Sequence, residues 1–423
     1  MVLIFGKGKT GLSVKDFLDN KNIQNILIDD NDSYNLNNID YIVISPGVPF
    51  SHKIYKEAKK RKIPVFTDIE LGYKYFKGEI VAITGTDGKT TTTTIIYNIL
   101  KSHFEKTYIG GNYGIPFTDI LKETEDGIAV LELSSFQIYS IKDFRPNIAV
   151  FLNISTDHLD WHKKYKHYLL SKLKIFKNQQ ENDYAVLNFS YQFLRDLNIK
   201  SKKLFFSLTP LPEEYKGIYI KDNYFWIRAE DEIKLFPIEK VKLKGKHNLE
   251  NVMAGLIVGY IKGVPIEKME EVIQNFKPLE HRIEYVDTIN GVDFYNDSKA
   301  TTVQAVYRAV ESFNNKIILI LGGINKGGDF SALKNFKDKI KKVFIIGKSK
   351  EEIKDMIKDF ADYSLEESLQ DAVLKAMEIA EKGDTILFSP GCASFDMFKN
   401  YADRGNKFKD IVKRVKEEKN ETL

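Results

Sequence analysis

Short apolar runs rich in Val and Ile alternate with stretches of helical periodicity along almost the whole chain. Strands buried on both faces read as such runs. Strands that alternate with helices are the pattern of an α/β protein with largely parallel sheets. The pattern starts three times. The first series holds strands at residues 2–5, 26–29, 41–45 and 65–66, with helices such as 13–20 between them. The second begins at 80–84 and continues through 128–133 and 148–153. The third holds 317–322, 343–347 and 385–389. Gly or Pro separates the periodic segments at Lys77-Gly78 and at Lys277-Pro278, where breaks between domains are expected.

The expected architecture is therefore α/β with three domains, over residues 1–77, 78–277 and 278–423. The first and third are expected to be Rossmann-like, and the central one a P-loop-type parallel sheet. The stretch 188–241 is less regular, with Tyr219, Tyr224 and Trp226 in short alternating runs. It reads as an antiparallel appendage of the central domain.

Composition changes this picture little, but it excludes several classes of function. Lys plus Arg (63) nearly balances Asp plus Glu (59), which gives no argument for nucleic acid or an anionic membrane as partner. The densest basic run, Lys59-Lys60-Arg61-Lys62, reads as a solvated face. The single cysteine, Cys392, excludes an intramolecular disulfide and any cysteine-based zinc site. No apolar run approaches the length that spans a bilayer. The chain opens directly on an apolar strand with no leader pattern, so a cytoplasmic protein is expected. Nothing sets an oligomeric state, and a monomer is the default expectation.

The most informative segment is Ile83-Thr84-Gly85-Thr86-Asp87-Gly88-Lys89-Thr90-Thr91, which follows the strand 80–83 and opens a helix at 92–101. Glycines let the backbone curl so that several N–H groups converge on phosphate oxygens, and the helix N-terminus adds its dipole. Lys89 supplies a point charge for the β- and γ-phosphates, and the Thr90 hydroxyl can ligate Mg²⁺. Strand, loop and helix in this order disfavour an incidental turn. Ile83 stands where an ordinary phosphate loop has its first glycine.

A second loop, Gly6-Lys7-Gly8-Lys9-Thr10-Gly11, also follows a strand, with Asp29 and Asp30 at the end of the next strand. Taken alone it reads as a dinucleotide site with an acid on the ribose, and so as a nicotinamide-dependent dehydrogenase. That reading leaves the loop at 85–91 unexplained. It also leaves unexplained the acid, histidine and lysine that follow. Glu132 ends the strand 128–133, and His158 lies just beyond 148–153. Carboxyl ends of parallel strands share one crevice, so both would face Lys89 and Thr90, where they could hold divalent ions against a triphosphate. In the expected helix 165–176, Tyr165, Tyr168, Leu169, Lys172, Leu173 and Phe176 share one face. Lys172 thus sits on an apolar stripe. It either snorkels to water or is buried and open to covalent modification. A nucleotide-binding regulator without turnover remains the non-enzymatic alternative.

These residues carry a resemblance, over essentially the whole chain, to the Mur ligases, which add amino acids to UDP-N-acetylmuramic acid. Gly245-Lys246-His247-Asn248 with Asn251, and His281-Arg282, resemble that family's ATP-contacting motifs. The segments Glu132-Leu133-Ser134-Ser135-Phe136-Gln137, Asn296-Asp297-Ser298-Lys299-Ala300-Thr301 and Ser389-Pro390-Gly391-Cys392-Ala393-Ser394-Phe395-Asp396 are similar to the branch that adds D-glutamate to UDP-N-acetylmuramoyl-L-alanine. So are Ser45-Pro46-Gly47-Val48-Pro49 and Gly110-Gly111-Asn112.

The resemblance implies an ATP-dependent ligase of peptidoglycan precursor synthesis that works through an acyl phosphate. ATP would be held by Gly85, Thr86, Asp87, Gly88, Lys89, Thr90, Thr91, Asn248, Asn251, Arg282 and Asp297. Two Mg²⁺ ions would be held by Thr90, Glu132, His158 and Lys172, the last as a carbamate. The UDP-linked substrate would meet Thr10, Gly47, Asn112, Ser134 and Gln137, while Thr301, Lys326, Ser394 and Phe395 would line the glutamate pocket. Lys89, His158, Lys172 and Lys299 would act at the reacting groups, and a swing of the third domain would close the site. Two places depart from the family. Asp87 stands where Asn is usual, and Asp30-Asn31 replaces a hydroxyl and a basic residue.

Overall fold

The computed structural model describes residues 1–155 and 164–420. Each apolar run expected as a strand forms one to within three residues at either end, and the strands gather into three sheets. The first holds β1 (Val2–Phe5), β2 (Asn25–Ile28), β3 (Tyr41–Ile44) and β4 (Val65–Phe66), in the order β2-β1-β3-β4, all parallel. Phe5 lies level with Ile28 and Ile44, so the loops after the first three strands leave along one edge.

The second sheet holds β5 (Glu79–Thr84), β6 (Thr107–Gly111), β7 (Ile128–Glu132), β8 (Ile148–Phe151), β9 (Tyr184–Asn188), β10 (Lys202–Ser207), β11 (Gly217–Lys221), β12 (Tyr224–Arg228) and β13 (Glu232–Pro237). Their order is β13-β12-β11-β10-β9-β8-β5-β7-β6. The expectation of an antiparallel appendage over 188–241 holds only for its last part. β9, β10 and β11 extend the parallel sheet, and only the pairings of β12, with β11 and with β13, are antiparallel. The cause is burial. β9 and most of β10 are covered on both faces and so show no alternation, whereas β12 alternates between half-buried and buried positions. Asp222 and Asn223, both at positive φ, make the tight turn from β11 to β12.

The third sheet holds β14 (Glu284–Ile289), β15 (Val292–Asn296), β16 (Ile317–Gly322), β17 (Ile340–Ile346), β18 (Tyr363–Leu365) and β19 (Thr385–Phe388), in the order β14-β15-β19-β16-β17-β18. β14 and β15 form a hairpin through Asn290-Gly291, both at positive φ, and the rest is parallel.

The chain divides into two compact units, Met1–Val241 with Leu249–Asn275, and Lys242–Asn248 with Phe276–Leu423. The first unit contains the first two sheets, which share one apolar cluster that runs from Val2, Ile4 and Phe17 to Ile80, Leu131 and Phe151. A polar bond reinforces this junction. The fully buried carboxylate of Glu70, on the helix Asp68–Tyr75, accepts the backbone N–H groups of Lys142, Asp143 and Phe144 at 2.8, 2.8 and 3.1 Å. In the second unit, separate apolar clusters cover the two faces of the sheet. Among the described residues, no helix is long and apolar enough to cross a membrane.

Candidate active site

The loop at 85–88 joins β5 to the helix Lys89–Lys101, which begins three residues earlier than its sequence pattern indicates. Gly88 caps that helix in the left-handed region, at φ +78°, and a Cβ there would lie 2.4 Å from Asn251 Oδ1. Only glycine satisfies both conditions. Asn153 clamps the loop from the end of β8. Its Oδ1 accepts the N–H groups of Thr86 and Asp87 at 3.1 and 2.9 Å, and its Nδ2 donates to the Asp87 carbonyl at 3.1 Å. Asn251 braces the other side and accepts the Thr92 hydroxyl at 3.1 Å. The helix itself is seated by Gly255 and Gly259 of the helix Lys246–Ile261. Added Cβ atoms there would lie 2.5 Å from Ile95 and 2.4 Å from Met269.

Lys89 folds back over its own loop and donates to the carbonyls of Gly85 (3.1 Å) and Thr86 (2.7 Å). Lys172, 2% exposed, donates to the Gly85 carbonyl at 2.6 Å, and its ammonium lies 4.7 Å from the Tyr168 ring centre. Of the two readings of Lys172, the structure therefore has the buried one. The helix that carries it, Tyr165–Leu173, passes into a 3₁₀ turn at Lys174–Phe176.

Glu132 pairs with Ile83 across β5 and β7, which puts its carboxylate beside the loop. Oε1 accepts the Asn112 side-chain amide at 2.7 Å, while Oε2 is buried with no hydrogen-bond partner. A buried carboxylate oxygen without a donor is costly unless a cation completes it. With the Thr90 hydroxyl in the first helical turn and itself buried, this donor set fits a hard, oxygen-seeking divalent ion. His158 lies outside the described residues.

The residues expected to meet the UDP-linked substrate fall into two groups. Thr10, at the start of the helix Lys9–Asn20, and Gly47, in the turn after β3, lie at the loop edge of the first sheet. There Ser45 Oγ donates to the Gly6 carbonyl at 3.1 Å. The acids that suggested a ribose site are already engaged. Lys7 pairs with Asp32 at 2.6 Å and lies 3.8 Å from Asp29, and His52 meets Asp30 at 2.6 Å. In the second sheet, Asn112 reaches Glu132 as described, and Ser134 and Gln137 form a reciprocal cap on the helix Ser135–Tyr139. The Ser134 N–H and hydroxyl both donate to Gln137 Oε1 at 3.0 Å, and the Gln137 N–H returns to Ser134 Oγ at 3.3 Å.

In the second unit the loops after β15, β16 and β19 meet. Asp297 is buried and accepts Ser389 Oγ at 2.7 Å and the Ile283 N–H at 3.2 Å. Burial pushes its carboxyl up to about 7, against the pull of these bonds and of Arg282 and Arg404. His281 and Ile283 both sit at positive φ, +65° and +45°. For a β-branched residue such as Ile283 that conformation is strained. The turn is held by the His281 N–H to Glu284 (2.8 Å), the Lys299 N–H to the His281 carbonyl (3.0 Å) and the Asn296 amide to His281 Nδ1 (2.9 Å). The Lys299 ammonium lies 3.6 Å from the Tyr401 ring centre. Asn248 donates to the Lys244 carbonyl at 2.6 Å. Beside it, burial and the nearby Arg308 and Arg282 push His247 down to about 4. Ser394 is buried, Thr301 half-buried, and Lys326 and Phe395 exposed, Phe395 at 70%.

Two organising residues escaped the sequence reading. Asn153 was only the end of a strand. Arg404, on the helix Tyr401–Asn420, is fully buried and donates to the Ser298 hydroxyl (3.0 Å) and to the carbonyls of Ser298 (2.7 Å) and Cys392 (3.0 Å), which joins the loops after β15 and β19. A short polar residue at a strand end and an arginine in a charged helix carry no periodic signal. Their partners lie far away in sequence.

With the geometry established, comparison with known proteins is direct. Residues 83–259 match the Mur ligase middle domain, and 281–392 match the Mur ligase glutamate ligase domain. The UDP-N-acetylmuramoylalanine--D-glutamate ligase of Aquifex aeolicus is 40% identical over 417 residues, 97% of this chain and 98% of that protein. The enzyme of the same name from Hydrogenobaculum is 43% identical over 419 residues, again 97% and 98%. Among solved structures, the UDP-N-acetylmuramate-alanine ligase of Thermotoga maritima superposes with a TM-score of 0.62 at 17% identity over 98% of this chain and 99% of that one. The MurF ligase of the same organism, in complex with ADP, gives 0.60 at 20% identity over 99% and 95%. Shared text over nearly the full length, on a shared fold, makes this chain a member of the Mur ligase family.

Proposed function

We infer that the protein is an ATP-dependent amide ligase that joins D-glutamate to UDP-N-acetylmuramoyl-L-alanine, the activity named for its relatives of about 40% identity. The observation that carries this reading is the glycine loop at 85–88 with Glu132 on the neighbouring strand, its Oε2 buried and without a donor. A dehydrogenase has no use for that arrangement, and the first sheet's Asp29 and Asp30 are engaged by Lys7 and His52.

A carboxylate does not condense with an amine unaided, because oxide is a poor leaving group. Transfer of a phosphoryl group solves this. The alanine carboxylate oxygen attacks the γ-phosphorus of ATP, the bond to the β–γ bridging oxygen breaks, and ADP departs with the electron pair. The D-glutamate nitrogen then attacks the acyl carbon and loses its proton, and the tetrahedral oxyanion collapses with release of phosphate. Lys89 exchanges the Gly85 and Thr86 carbonyls for the β- and γ-phosphate oxygens, where its charge meets the charge that builds during transfer. The N–H groups of the loop and first helical turn cradle the same phosphates.

Thr90, Glu132, His158 and Lys172 would hold Mg²⁺, which when bound supplies positive charge against the triphosphate. Lys172 would serve as a carbamate. Its nitrogen keeps one N–H in that form, enough for the Gly85 carbonyl it now reaches. Asn112, Ser134 and Gln137 orient the muramoyl end of the substrate, with the UDP end on Thr10 and Gly47. Asn248, Asn251, Arg282 and Asp297 serve the nucleotide. Lys299, Thr301, Lys326, Ser394 and Phe395 bind and orient the incoming amino acid. The test is phosphate release from ATP with UDP-N-acetylmuramoyl-L-alanine and each candidate amino acid in turn. Release is expected with D-glutamate and not with L-glutamate, glycine or L-lysine. A purified chain that ignores ATP, or releases phosphate equally with every amino acid, overturns the reading.

A further inference from the structure

We propose that Lys9 is the cation that takes the diphosphate of the UDP-linked substrate, in place of the basic residue whose position Asn31 occupies. This rests on the ligase reading, with the uridine end at Thr10 and Gly47 and the muramoyl end at Asn112.

In that substrate the diphosphate lies between the uridine and the sugar. It must therefore cross from the loop edge of the first sheet to the turn after β6, which carries Asn112. Lys9 spans the same gap. Exposed at the start of the helix Lys9–Asn20, it donates from Nζ to the Gly114 carbonyl at 2.6 Å, two residues beyond Asn112. An ammonium has three donors, and the carbonyl occupies one of them. No carboxylate among the described residues pairs with it. Lys7, two residues earlier, is committed to Asp32 at 2.6 Å, with Asp29 at 3.8 Å. Asn31, where the resemblance implies a basic residue, carries no charge, and its N–H donates to Asp29 Oδ1 at 3.0 Å. The charge missing from the end of β2 is thus supplied by the loop after its neighbour β1.

The glycines of this edge leave room for the ligand. Gly6 and Gly11 answer to the fold: a Cβ on Gly11 would lie 1.9 Å from the Gly6 carbonyl oxygen, and Gly6 sits at φ +106° against Ser45. Gly8 and Gly47 do not. Neither has a positive φ, and a Cβ on either would meet no atom within 4 Å. Open space beside a compact point charge on a flexible stem suits a phosphate. Joining the two sheets does not account for Lys9. They already share one apolar cluster and the three bonds of Glu70, and an exposed bond from a lysine to a carbonyl competes with water. On binding, Nζ exchanges the Gly114 carbonyl for diphosphate oxygens.

The experiment compares the parent with Lys9→Ala and Lys9→Arg by calorimetric titration of UDP-N-acetylmuramoyl-L-alanine and, separately, of ADP. At low salt, Lys9→Ala should bind the UDP-linked substrate about tenfold more weakly, the scale of a lost hydrogen bond between charged groups. Lys9→Arg keeps the charge and should stay within about threefold. Affinity for ADP should hold within about twofold in both. Raising the salt from about 50 to about 300 mM should narrow the gap between the parent and Lys9→Ala, because ions screen an exposed charge. In turnover, KM for the UDP-linked substrate rises in Lys9→Ala while KM for ATP holds. Unchanged affinity for the UDP-linked substrate overturns the proposal and leaves the ligase reading intact. So does a gap that salt does not narrow, or Lys9→Arg as weak as Lys9→Ala, because neither is the mark of a charge. A parallel loss of ADP, or failure of both variants to fold, overturns it too and makes Lys9 a tie between the sheets. A parent that itself does not bind UDP-N-acetylmuramoyl-L-alanine overturns the ligase reading, and the proposal with it.

Discussion

The phosphate loop of the first unit and the joined loops of the second solve the same problem with opposite chemistry. Both are turns at the carboxyl ends of parallel strands, and both must be held still. Around the first, the clamps are mostly neutral, the side-chain amides of Asn153 and Asn251 and the Thr92 hydroxyl, with the Lys172 ammonium on the Gly85 carbonyl as the charged exception. Its one loop cation, Lys89, rests on two carbonyls of its own loop. Around the second, the clamps are ionisable side chains. Arg404 bonds the loops after β15 and β19, Asp297 sits buried beneath them, and Glu284 fixes the strained turn at His281. A neutral clamp leaves a charge at liberty to move to an incoming phosphate. A charged clamp spends its charge on architecture and gives the pocket a fixed field in return.

The comparison breaks most visibly at Lys89. Lys89→Ala should lower the rate of phosphate release by about three orders of magnitude yet move the thermal midpoint by no more than roughly 2 °C. A large loss of stability would show the loop to be charge-held after all.

A smaller, pH-dependent effect is expected at Asp297. Its carboxyl is raised from 3.8 to about 7 by burial, so the folded protein keeps a proton there that the unfolded chain releases near its ordinary value. The stability this contributes is full below about 4, falls as pH rises through the interval and is gone above about 7. Asp297→Asn cannot titrate. Between pH 5 and pH 8 the parent should therefore lose about 2 kcal/mol relative to the variant in denaturant titrations. Parallel pH profiles would remove the buried acid from the account of the second unit.

The smallest effect tests the neutral clamp itself. Asn153→Ala strips a partner from the Thr86 and Asp87 N–H groups and should cost about 1 kcal/mol. The cost should be recovered when ADP is bound, because phosphate oxygens take over as acceptors. Melts with and without ADP read it directly.

How much of this was legible in the sequence differs between the two sites for a physical reason. Gly85 to Thr91 announces itself because strand, loop and helix are contiguous and each has a local signature. Lys172 was visible as a charge on an apolar helical face, and the structure buries it. The parallel course of β9 to β11 was not legible, since strands covered on both faces lose the alternation that reveals a strand's direction of exposure. Asn153 and Arg404 were not legible either. Asn153 acts on a loop 66 and 67 residues away, and Arg404 on Ser298 at a separation of 106. Bonds at such separations leave no period, spacing or composition behind them. The same holds for Asn251, which resemblance assigned to the nucleotide and which the structure sets against Gly88 and Thr92.

The phosphate-loop helix begins Lys89-Thr90-Thr91-Thr92-Thr93-Thr94-Ile95-Ile96, so that after its lysine every residue of the first two turns is β-branched. Such a segment is a poor helix former in isolation. It stands because Gly255 and Gly259 let another helix close over Ile95 and Ile99. During synthesis the loop leaves the ribosome long before Asn251, Gly255 and Gly259 exist. The emerging chain thus passes its glycine loop early and gains the helix that seats it only about 170 residues later, by the spacing of the threonine run and those two glycines. On the proposed reading, a half-made chain holds the loop but lacks the groups that shape it for a nucleotide.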